Sequence, residues 1–319
     1  MAGCRTSPCR ASSVPPAPHR PALAGVAYGL IAYGIWGFFP LYFHQLAGVP
    51  PADVLSHRAF WGWIFLCVLL TARGEWPKIQ AVMRRPGQWL RLAAAGLLVG
   101  SNWLVFLWAV ANHQVMASSL GYFITPLVNV LLGLLVLGER LSAKAWLAVL
   151  LAAAAMVNEV LALGNLPWVS LTLAATFGCY GLLRKQVPVG ATTGLWFETL
   201  AMLPPCLIYV LWQGRSGHDV MWGHGAGDMT LLVLAGVLTA LPLMAFGAAT
   251  QRLTLATVGM LMYINPTLQF ATAVWLFGEP LPPARIATFA LIWLGLLLYA
   301  WSAWEKQRAV NRALQAAHR

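Results

Sequence analysis

Long apolar segments, separated by short stretches that contain Pro, Gly or charged residues, run through almost the whole chain. They predict membrane-spanning segments at residues 23–46, 53–72, 88–111, 115–137, 144–163, 166–184, 193–213, 229–250, 255–277 and 284–304. Each segment is much longer than the roughly 9–11 residues of a barrel strand and lacks a period of two. The pattern therefore predicts an all-α integral membrane protein with ten transmembrane helices.

The composition agrees with a lipid environment. Apolar residues make up 60% of the 319 residues and charged residues 9%, so a water-soluble chain would have too little polar surface to cover its core. The formal charge is +11, but the basic residues lie at the ends of apolar segments rather than in one patch, so no nucleic-acid partner is expected. The five cysteines have no redox or metal-ligand spacing, which argues against a disulfide framework or a metal site.

The distribution of positive charge predicts the orientation of the chain in the membrane. If the N-terminus is cytoplasmic, 17 of the 20 Lys and Arg residues fall on the cytoplasmic side, and only Arg58, Arg215 and Arg285 fall on the other. Because Lys and Arg accumulate in cytoplasmic loops, both termini are expected in the cytoplasm.

An internal repeat emerges when the chain is shifted by 140 residues. Pro126 then overlays Pro266, and Glu139 overlays Glu279, so the fourth span matches the ninth. Each half holds five spans, and an odd number inverts the second copy in the membrane, an arrangement common among secondary transporters. The predicted organisation is a disordered cytoplasmic tail at 1–21, a first repeat at 22–163, a second repeat at 164–304 and a basic cytoplasmic tail at 305–319.

Polar residues recur on one face of the fourth span. Ser118, Tyr122, Thr125, Asn129 and Gly133 follow helical spacing, and the shift by 140 relates Thr125 and Asn129 to Asn265 and Gln269. Since an unpaired polar group is costly in lipid, these side chains are expected to face each other or a watery cavity. They either line a substrate cavity between the repeats or only hold helices together.

Two further features of the spans point to the same region. Pro126 and Pro266 each remove a backbone hydrogen bond, which predicts either a pair of hinges or ordinary packing kinks. In the third span, Asn102 and Trp103 follow small residues and suit either a pocket for a planar or amphipathic ligand or close helix packing.

Ionisable residues within the spans are functional candidates because their insertion is costly. Glu198 is either a functional carboxylate or one half of an ion pair with Arg184 or Lys185. Arg58 either attracts an anionic substrate from outside or snorkels to the membrane surface.

His57 and Glu198 are candidates for proton coupling, because histidine titrates near neutrality and burial moves a carboxyl group toward it. Glu159 lies near a loop and is expected to be solvated.

Enzyme signatures are missing from the sequence. It contains no G-x-S-x-G, H-E-x-x-H or Walker A motif, and the acids within the spans lack metal-ligand spacing. We therefore predict no catalytic residues, no metal and no cofactor, and energy for transport from a gradient, exchange or downhill flow.

Residues 23–305 resemble the RarD branch of the EamA family, in the drug/metabolite transporter superfamily. The shared motifs include residues 32–37 (AYGIWG), 56–58 (SHR), 102–103 (NW), 117–124 (ASSLGYFI), 126–130 (PLVNV), 180–185 (YGLLRK) and 263–268 (YINPTL). The resemblance implies two inverted EamA repeats in a bacterial inner membrane, which export or exchange metabolites or drugs through a central cavity. Asn265 departs from the family pattern, which has Gly or Ser before this proline.

Together these observations predict a secondary transporter that alternates access to a small-molecule site near the middle of the bilayer. The predicted site comprises Asn102, Trp103, Tyr122, Thr125, Asn129, Asn265 and Gln269. The alternatives are a small-solute channel, a membrane subunit of a larger complex or an integral-membrane enzyme. Spans five and ten, rich in Ala, Leu and Gly, are candidates for the contact of a homodimer.

Overall fold

The computed structural model describes residues 19–137, 143–164, 166–250, 252 and 261–317, and this part of the chain contains helices and no strand. The helices are α1 (His19–Gly37), α2 (Phe39–His44), α3 (Pro51–Arg73), α4 (Trp76–Met83), α5 (Pro86–Ala111), α6 (Val115–Leu137), α7 (Ala143–Leu163), α8 (Trp168–Lys185), α9 (Ala191–Arg215), α10 (Ala226–Thr250), α11 (Ile264–Ala271), which continues as a π-helical turn at Thr272–Leu276, and α12 (Pro283–Ala317).

Several of these helices are suited to cross a bilayer. Within the described residues, six helical stretches are long and apolar enough to do so: Leu23–His44, Pro51–Arg73, Pro86–Ala111, Ala191–Arg215, Ala226–Phe246 and Pro283–Ser302. Two apolar helical stretches, Val115–Val128 and Trp146–Ala162, are shorter. The prediction of an all-helical membrane protein is confirmed.

The first predicted span is broken into two helices. α1 ends at Gly37 and α2 begins at Phe39, with Pro40 in its first turn. Proline has no backbone N–H, and its ring clashes with the carbonyl four residues earlier, at Trp36, so a continuous helix is unfavourable here. The predicted span at 23–46 thus corresponds to the apolar stretch Leu23–His44, with a break at Phe38 between its two helices.

Helix α4 was not predicted. It is only eight residues long and lies between the second and third spans, where Pro77 stands in its first turn. Ile79 and Val82 are buried in an apolar cluster with residues of α3 and α5, whereas the other side of α4 is mostly polar and exposed. A segment this short and this polar carries no spanning signal.

Ten of the described helices pack as a ring of eight and an outer pair. In the described part of the chain, eight helices form a closed ring in which each packs on the next, in the order α1, α10, α3, α9, α5, α8, α6, α11 and back to α1. α7 and α12 pack chiefly on each other, outside this ring, and α6 joins them to it. The polar residues of α3, α5, α6, α9 and α11 are therefore on the ring, whereas the outer pair is mainly apolar.

Some predicted segments lie outside the described residues: 1–18 of the tail, 255–260 of the ninth span, and Glu139, which follows the fourth span. The side chain of Asn129 also lies outside the described part, although its backbone belongs to α6. At the C-terminal end, α12 continues without interruption to Ala317, past the predicted limit of the last span.

Candidate substrate site

Asn102 joins three helices of the ring. Its Nδ2 donates hydrogen bonds to the carbonyl oxygen of Leu173 at 3.0 Å and to Oγ1 of Thr176 at 2.9 Å, both on α8. Its Oδ1 accepts a hydrogen bond from the hydroxyl of Tyr122 on α6 at 3.0 Å. The side chain of Asn102 is fully buried. Its amide therefore has partners on both sides, and in this conformation it connects α5, α6 and α8.

Arg58 lies deep in the protein, on α3. The residue is 2% exposed, so the prediction that it snorkels to the membrane surface is wrong. Its Nε donates a hydrogen bond to Oγ1 of Thr239 on α10 at 3.1 Å, while Cζ lies 4.3 Å from the ring centroid of Trp103 and 4.7 Å from that of Phe43. The predicted residues Arg58 and Trp103 thus form one cation–π contact.

The guanidinium of Arg58 has an unused donor. Its Nη1 is buried and has no hydrogen-bond partner among the described residues. Aromatic rings occupy the space next to the guanidinium, and they offer no oxygen in the plane of its N–H groups. A buried donor left in this state is unfavourable, so this position differs from the saturated amide of Asn102.

Helices α6 and α11 meet through polar groups, as expected from the repeat. The hydroxyl of Ser119 donates to the carbonyl oxygen of Pro266 at 2.8 Å, and Oγ of Ser118 lies 3.3 Å from Oε1 of Gln269. Gln269 in turn donates from Nε2 to Oδ1 of Asn265 at 2.9 Å. The contact is thus made by Ser118, the first residue of the predicted stripe on α6, and by its neighbour Ser119, which the stripe does not include.

Thr125 does not take part in this contact. It is 1% exposed, and its hydroxyl donates to the carbonyl oxygen of Gly121, one turn earlier in α6, at 3.1 Å. Its polar group is therefore satisfied within its own helix.

The two related prolines have different surroundings. Pro126 lies inside the continuous helix α6, whereas Pro266 is the third residue of α11. In the first turn of a helix the missing N–H costs no hydrogen bond, so only Pro126 interrupts a helix interior. The symmetric pair in the sequence corresponds to one interior proline and one at a helix start.

Glu198 has the ion-pair partner that the sequence proposed as one alternative. Nε of Arg184 lies 3.2 Å from Oε1 of Glu198, and the hydroxyl of Tyr180 donates to Oε2 at 3.2 Å. The side chain of Glu198 is 2% exposed and that of Arg184 is 20% exposed. A buried carboxylate is thus neutralised by a cation that still reaches solvent. The side chain of Lys185, the other predicted partner, lies outside the described part.

His57 lies one residue before Arg58 but contacts a different group. Its Nε2 is 2.9 Å from the carbonyl oxygen of Val220, and its Nδ1 accepts a hydrogen bond from Nε1 of Trp61 at 3.1 Å. A ring that donates from one nitrogen and accepts at the other is neutral, with the proton on Nε2. His57 and Glu198 therefore belong to separate clusters.

The structure reveals an acid–histidine cluster that the sequence analysis missed. Asp53, at the start of α3, is fully buried; its Oδ1 accepts a 2.6 Å hydrogen bond from Tyr209, and its Oδ2 lies 2.8 Å from Nε2 of His218 and 3.3 Å from Nε2 of His224. The two histidines follow α9 in a loop rather than a span. The available signal was a carboxylate at the start of one span and two histidines in a single loop on the same predicted side.

Glu159 is buried rather than solvated. It is 2% exposed, Nε of Arg285 lies 3.1 Å from its Oε1, and Thr288 donates to its Oε2 at 2.9 Å. The prediction of a solvated end was wrong because two residues of α12 cover the end of α7.

Glu279, which marked the repeat in the sequence, caps a helix. Its carboxylate accepts hydrogen bonds from the backbone N–H groups of Val115 at 2.6 Å and Met116 at 2.9 Å. Burial raises the pKa of this carboxyl group, although these two N–H donors favour its charged form. The loop after α11 is thereby fastened to the start of α6.

The sequence and fold of this chain match known transporters. A model of the EamA-like transporter family matches residues 23–158. An uncharacterised transporter of Pseudomonas aeruginosa is 44% identical over 289 residues, which are 89% of this chain and 95% of that protein. Protein RarD of Escherichia coli is 40% identical over 288 residues, 90% of this chain and 97% of its own length. The chain belongs to the EamA-like transporter family.

This EamA-like transporter also shares its fold with a solved crystal structure. The superposition has a TM-score of 0.57 at 19% identity and covers 87% of this chain and 95% of the other. At that identity the likeness shows the fold alone. The predicted family is confirmed, the protein is a membrane transporter of the drug/metabolite type, and the names of its relatives point away from an enzyme.

Proposed function

We propose that this protein is a secondary transporter that moves a small metabolite or drug-like solute by alternating access between two inverted repeats of five helices. The observation that carries the proposal is the correspondence between the two halves of the chain in helix limits and in packing order. Family membership supports the transport activity, and the polar contacts between α6 and α11 mark the seam between the halves.

The helix limits support the repeat. α3, α5 and α7 begin at residues 51, 86 and 143, and α9, α10 and α12 begin at residues 191, 226 and 283, which is 140 residues later in each case. Helices α5 and α10, which the shift by 140 relates, each pack closely on a neighbouring helix at a glycine. A Cβ added at Gly96 of α5 would lie 2.7 Å from Cα of Glu198, and one added at Gly236 of α10 would lie 2.5 Å from the backbone nitrogen of Gly62.

The ring of helices supports it further. The shift by 140 exchanges α1 with α8, α3 with α9, α5 with α10, and α6 with α11. When every helix in the ring is replaced by its counterpart, the same order of neighbours results, read in the opposite direction. Such a pattern is expected of two similar units related by a two-fold axis in the membrane plane, and it supports a substrate site between them.

The proposed substrate site uses Asn102, Trp103, Tyr122, Asn265 and Gln269, with Thr125 and Asn129 further along α6. In the described conformation Asn102 and Gln269 are buried, so access to them requires the two halves to move. Pro126 and the start of α11 at Pro266 are the proposed hinges, because a proline inside α6 and a helix start next to the seam both weaken backbone continuity.

The proposed location is the bacterial inner membrane, with both termini in the cytoplasm. This orientation places most Lys and Arg residues on the cytoplasmic side. It also places the loop that contains His218 and His224 outside.

We further propose a homodimer through the outer pair of helices. The outward faces of α7 and α12 carry exposed Trp146, Leu150, Trp293 and Leu297, which supports this contact.

A flux measurement tests the proposal. Solutes exported by cells with and without the protein are compared to identify the substrate, and the purified protein in liposomes is then expected to show saturable flux that a trans gradient of the same solute accelerates. Gln269→Leu is expected to reduce this flux by at least about tenfold, since it removes a buried hydrogen-bonding group from the seam. Thr267→Val, two residues away on the exposed side of α11, is the matched control.

Three results would contradict the proposal. Flux that rises linearly with concentration and carries single-file conductance indicates a channel. Activity that requires a co-purifying protein indicates a subunit, and a product chemically different from the solute indicates an enzyme.

A further inference from the structure

The surroundings of Arg58 are unusual for a cation. Cζ lies within 4.3–4.7 Å of the ring centroids of Trp103 and Phe43, and the residue is 2% exposed. Its single hydrogen bond among the described residues, from Nε to Thr239, goes to a neutral hydroxyl. The rings stabilise the charge without neutralising it, because their attraction for a cation is weaker than that of a carboxylate.

The buried carboxylates of the described residues are engaged elsewhere. Each has partners at hydrogen-bond distance in a different cluster: Asp53 with Tyr209 and His218, Glu159 with Arg285 and Thr288, Glu198 with Arg184 and Tyr180, and Glu279 with the backbone of α6. Arg58 therefore keeps a buried positive charge that no carboxylate of the described part compensates. Arginine cannot release its proton to relieve this cost, since its pKa in water lies above about 12.

A guanidinium placed in this way is suited to bind an oxyanion. Its in-plane N–H groups match the two oxygens of a carboxylate, and Nη1 is an unused buried donor. An anion that enters would satisfy this donor and compensate the charge at the same time. The position adjoins Trp103, one of the proposed substrate residues, which itself follows Asn102.

We propose that Arg58 is the recognition group for the substrate, and that the substrate is a small monocarboxylate with an apolar body. This inference rests on the proposed transport function, and it names the class of solute. The negative charge of the solute pairs with Arg58, while its body packs among Phe43, Trp103, Phe106 and Tyr122.

The surroundings favour a single negative charge. The other cations near the seam are already committed: Arg184 pairs with Glu198, and His57 is held neutral by its two hydrogen bonds. A phosphate monoester carries close to two negative charges at neutral pH, so one of them would stay uncompensated in a buried, largely aromatic setting. A monocarboxylate leaves no excess charge.

Matched acids and amides test this proposal on the full chain in lipid nanodiscs. The probes are butyrate and butyramide, benzoate and benzamide, and indole-3-acetate and indole-3-acetamide, with phenyl phosphate as the dianion. Binding is followed for all probes by the shift in melting temperature and by titration calorimetry, since the indole probes fluoresce like tryptophan. At least one acid is expected to bind roughly 10-fold or more tightly than its own amide, because the pairs differ in charge and scarcely in shape.

Variants assign the effect to Arg58. Arg58→Gln is expected to abolish the preference for the acid, with a loss of roughly 10- to 100-fold in its affinity. Arg58→Lys keeps the charge but loses the planar fork, and it is expected to retain the acid preference at about tenfold lower affinity. Arg215→Gln removes one positive charge from the exposed end of α9 and serves as the matched control, expected to bind the acid like the wild type.

The outcomes separate this proposal from the transport function. Acids and amides that bind alike, an Arg58→Gln variant that retains the acid preference, or no acid-dependent binding by any pair would overturn the role of Arg58. Phenyl phosphate binding more tightly than benzoate would overturn the single-charge argument. Saturable flux of a neutral or cationic solute, unaffected by Arg58→Gln, would discard the anion site and leave the transporter intact.

Discussion

Arg58 and Glu198 lie 140 residues apart, on α3 and α9, at positions that the proposed repeat relates to each other. Both are buried and both are ionisable, yet Glu198 has an arginine and a tyrosine beside it, whereas Arg58 has aromatic rings and a threonine. The first arrangement compensates its charge within the protein. The charge of Arg58 has no compensating group among the described residues. This difference separates a structural ion pair, at Glu198, from a binding group, at Arg58.

The largest expected effect concerns the paired side of this comparison. Arg184→Met leaves the carboxylate of Glu198 buried without its cation, and we expect it to destabilise the protein by about 3–5 kcal/mol. Glu198→Gln is expected to cost less, because the side chain of Arg184 is 20% exposed and that of Glu198 only 2%, so the charge left without a partner is the less buried of the two. Chemical unfolding of both variants in the same lipid or detergent checks the order. Equal losses would show that the ion pair is not the source of the stability.

The opposite sign is expected on the unpaired side. Arg58→Met replaces an uncompensated buried charge by an apolar side chain of similar length, so the free energy of unfolding should be unchanged or increase, by up to roughly 1–4 kcal/mol. The same unfolding experiment measures it, and the acid probes report the simultaneous loss of binding. A destabilisation comparable to that of Arg184→Met would mean that Arg58 is an ordinary structural residue.

The smallest of these effects concerns the backbone beneath Glu198. Gly96→Ala places a Cβ 2.7 Å from Cα of Glu198, so α5 and α9 must separate slightly, at an expected cost of about 1–3 kcal/mol. Gly34→Ala in α1 is the matched control, since a Cβ there meets no atom within 4 Å, and we expect it to stabilise by about 0.5–1 kcal/mol. Comparable losses for both variants would contradict the close packing of α5 on α9.

Much of the fold was predictable because it depends on long, local patterns. Runs of apolar residues located the helices, and the repeat at Pro126 and Pro266 anticipated helix starts that recur after 140 residues. The break at Phe38 had a local signal in Pro40, which the apolar run around it outweighed. Helix α4 had none, since eight amphipathic residues resemble any polar loop.

The site was less predictable because its contacts join distant segments. The aromatic rings around Arg58 of α3 come from α2 and α5, and Arg58 donates its hydrogen bond to Thr239 on α10. Glu159 is covered by residues of α12 that lie about 126 positions later in the chain. Sequence reasoning found the right residue types, as with Glu198 and Arg184. It could not tell which charges would find partners, because that depends on how the ring closes.

The length of α12 has a practical consequence for imaging. From Ser302, the last residue of its candidate spanning stretch, the helix continues for 15 residues to Ala317, which corresponds to a length of about 22 Å. A helical partner fused in register at Ala317 would move as one body with α12 and give a small, otherwise featureless particle a visible marker for electron microscopy. Because α12 packs outside the ring, such a marker would be attached away from the proposed seam between α6 and α11.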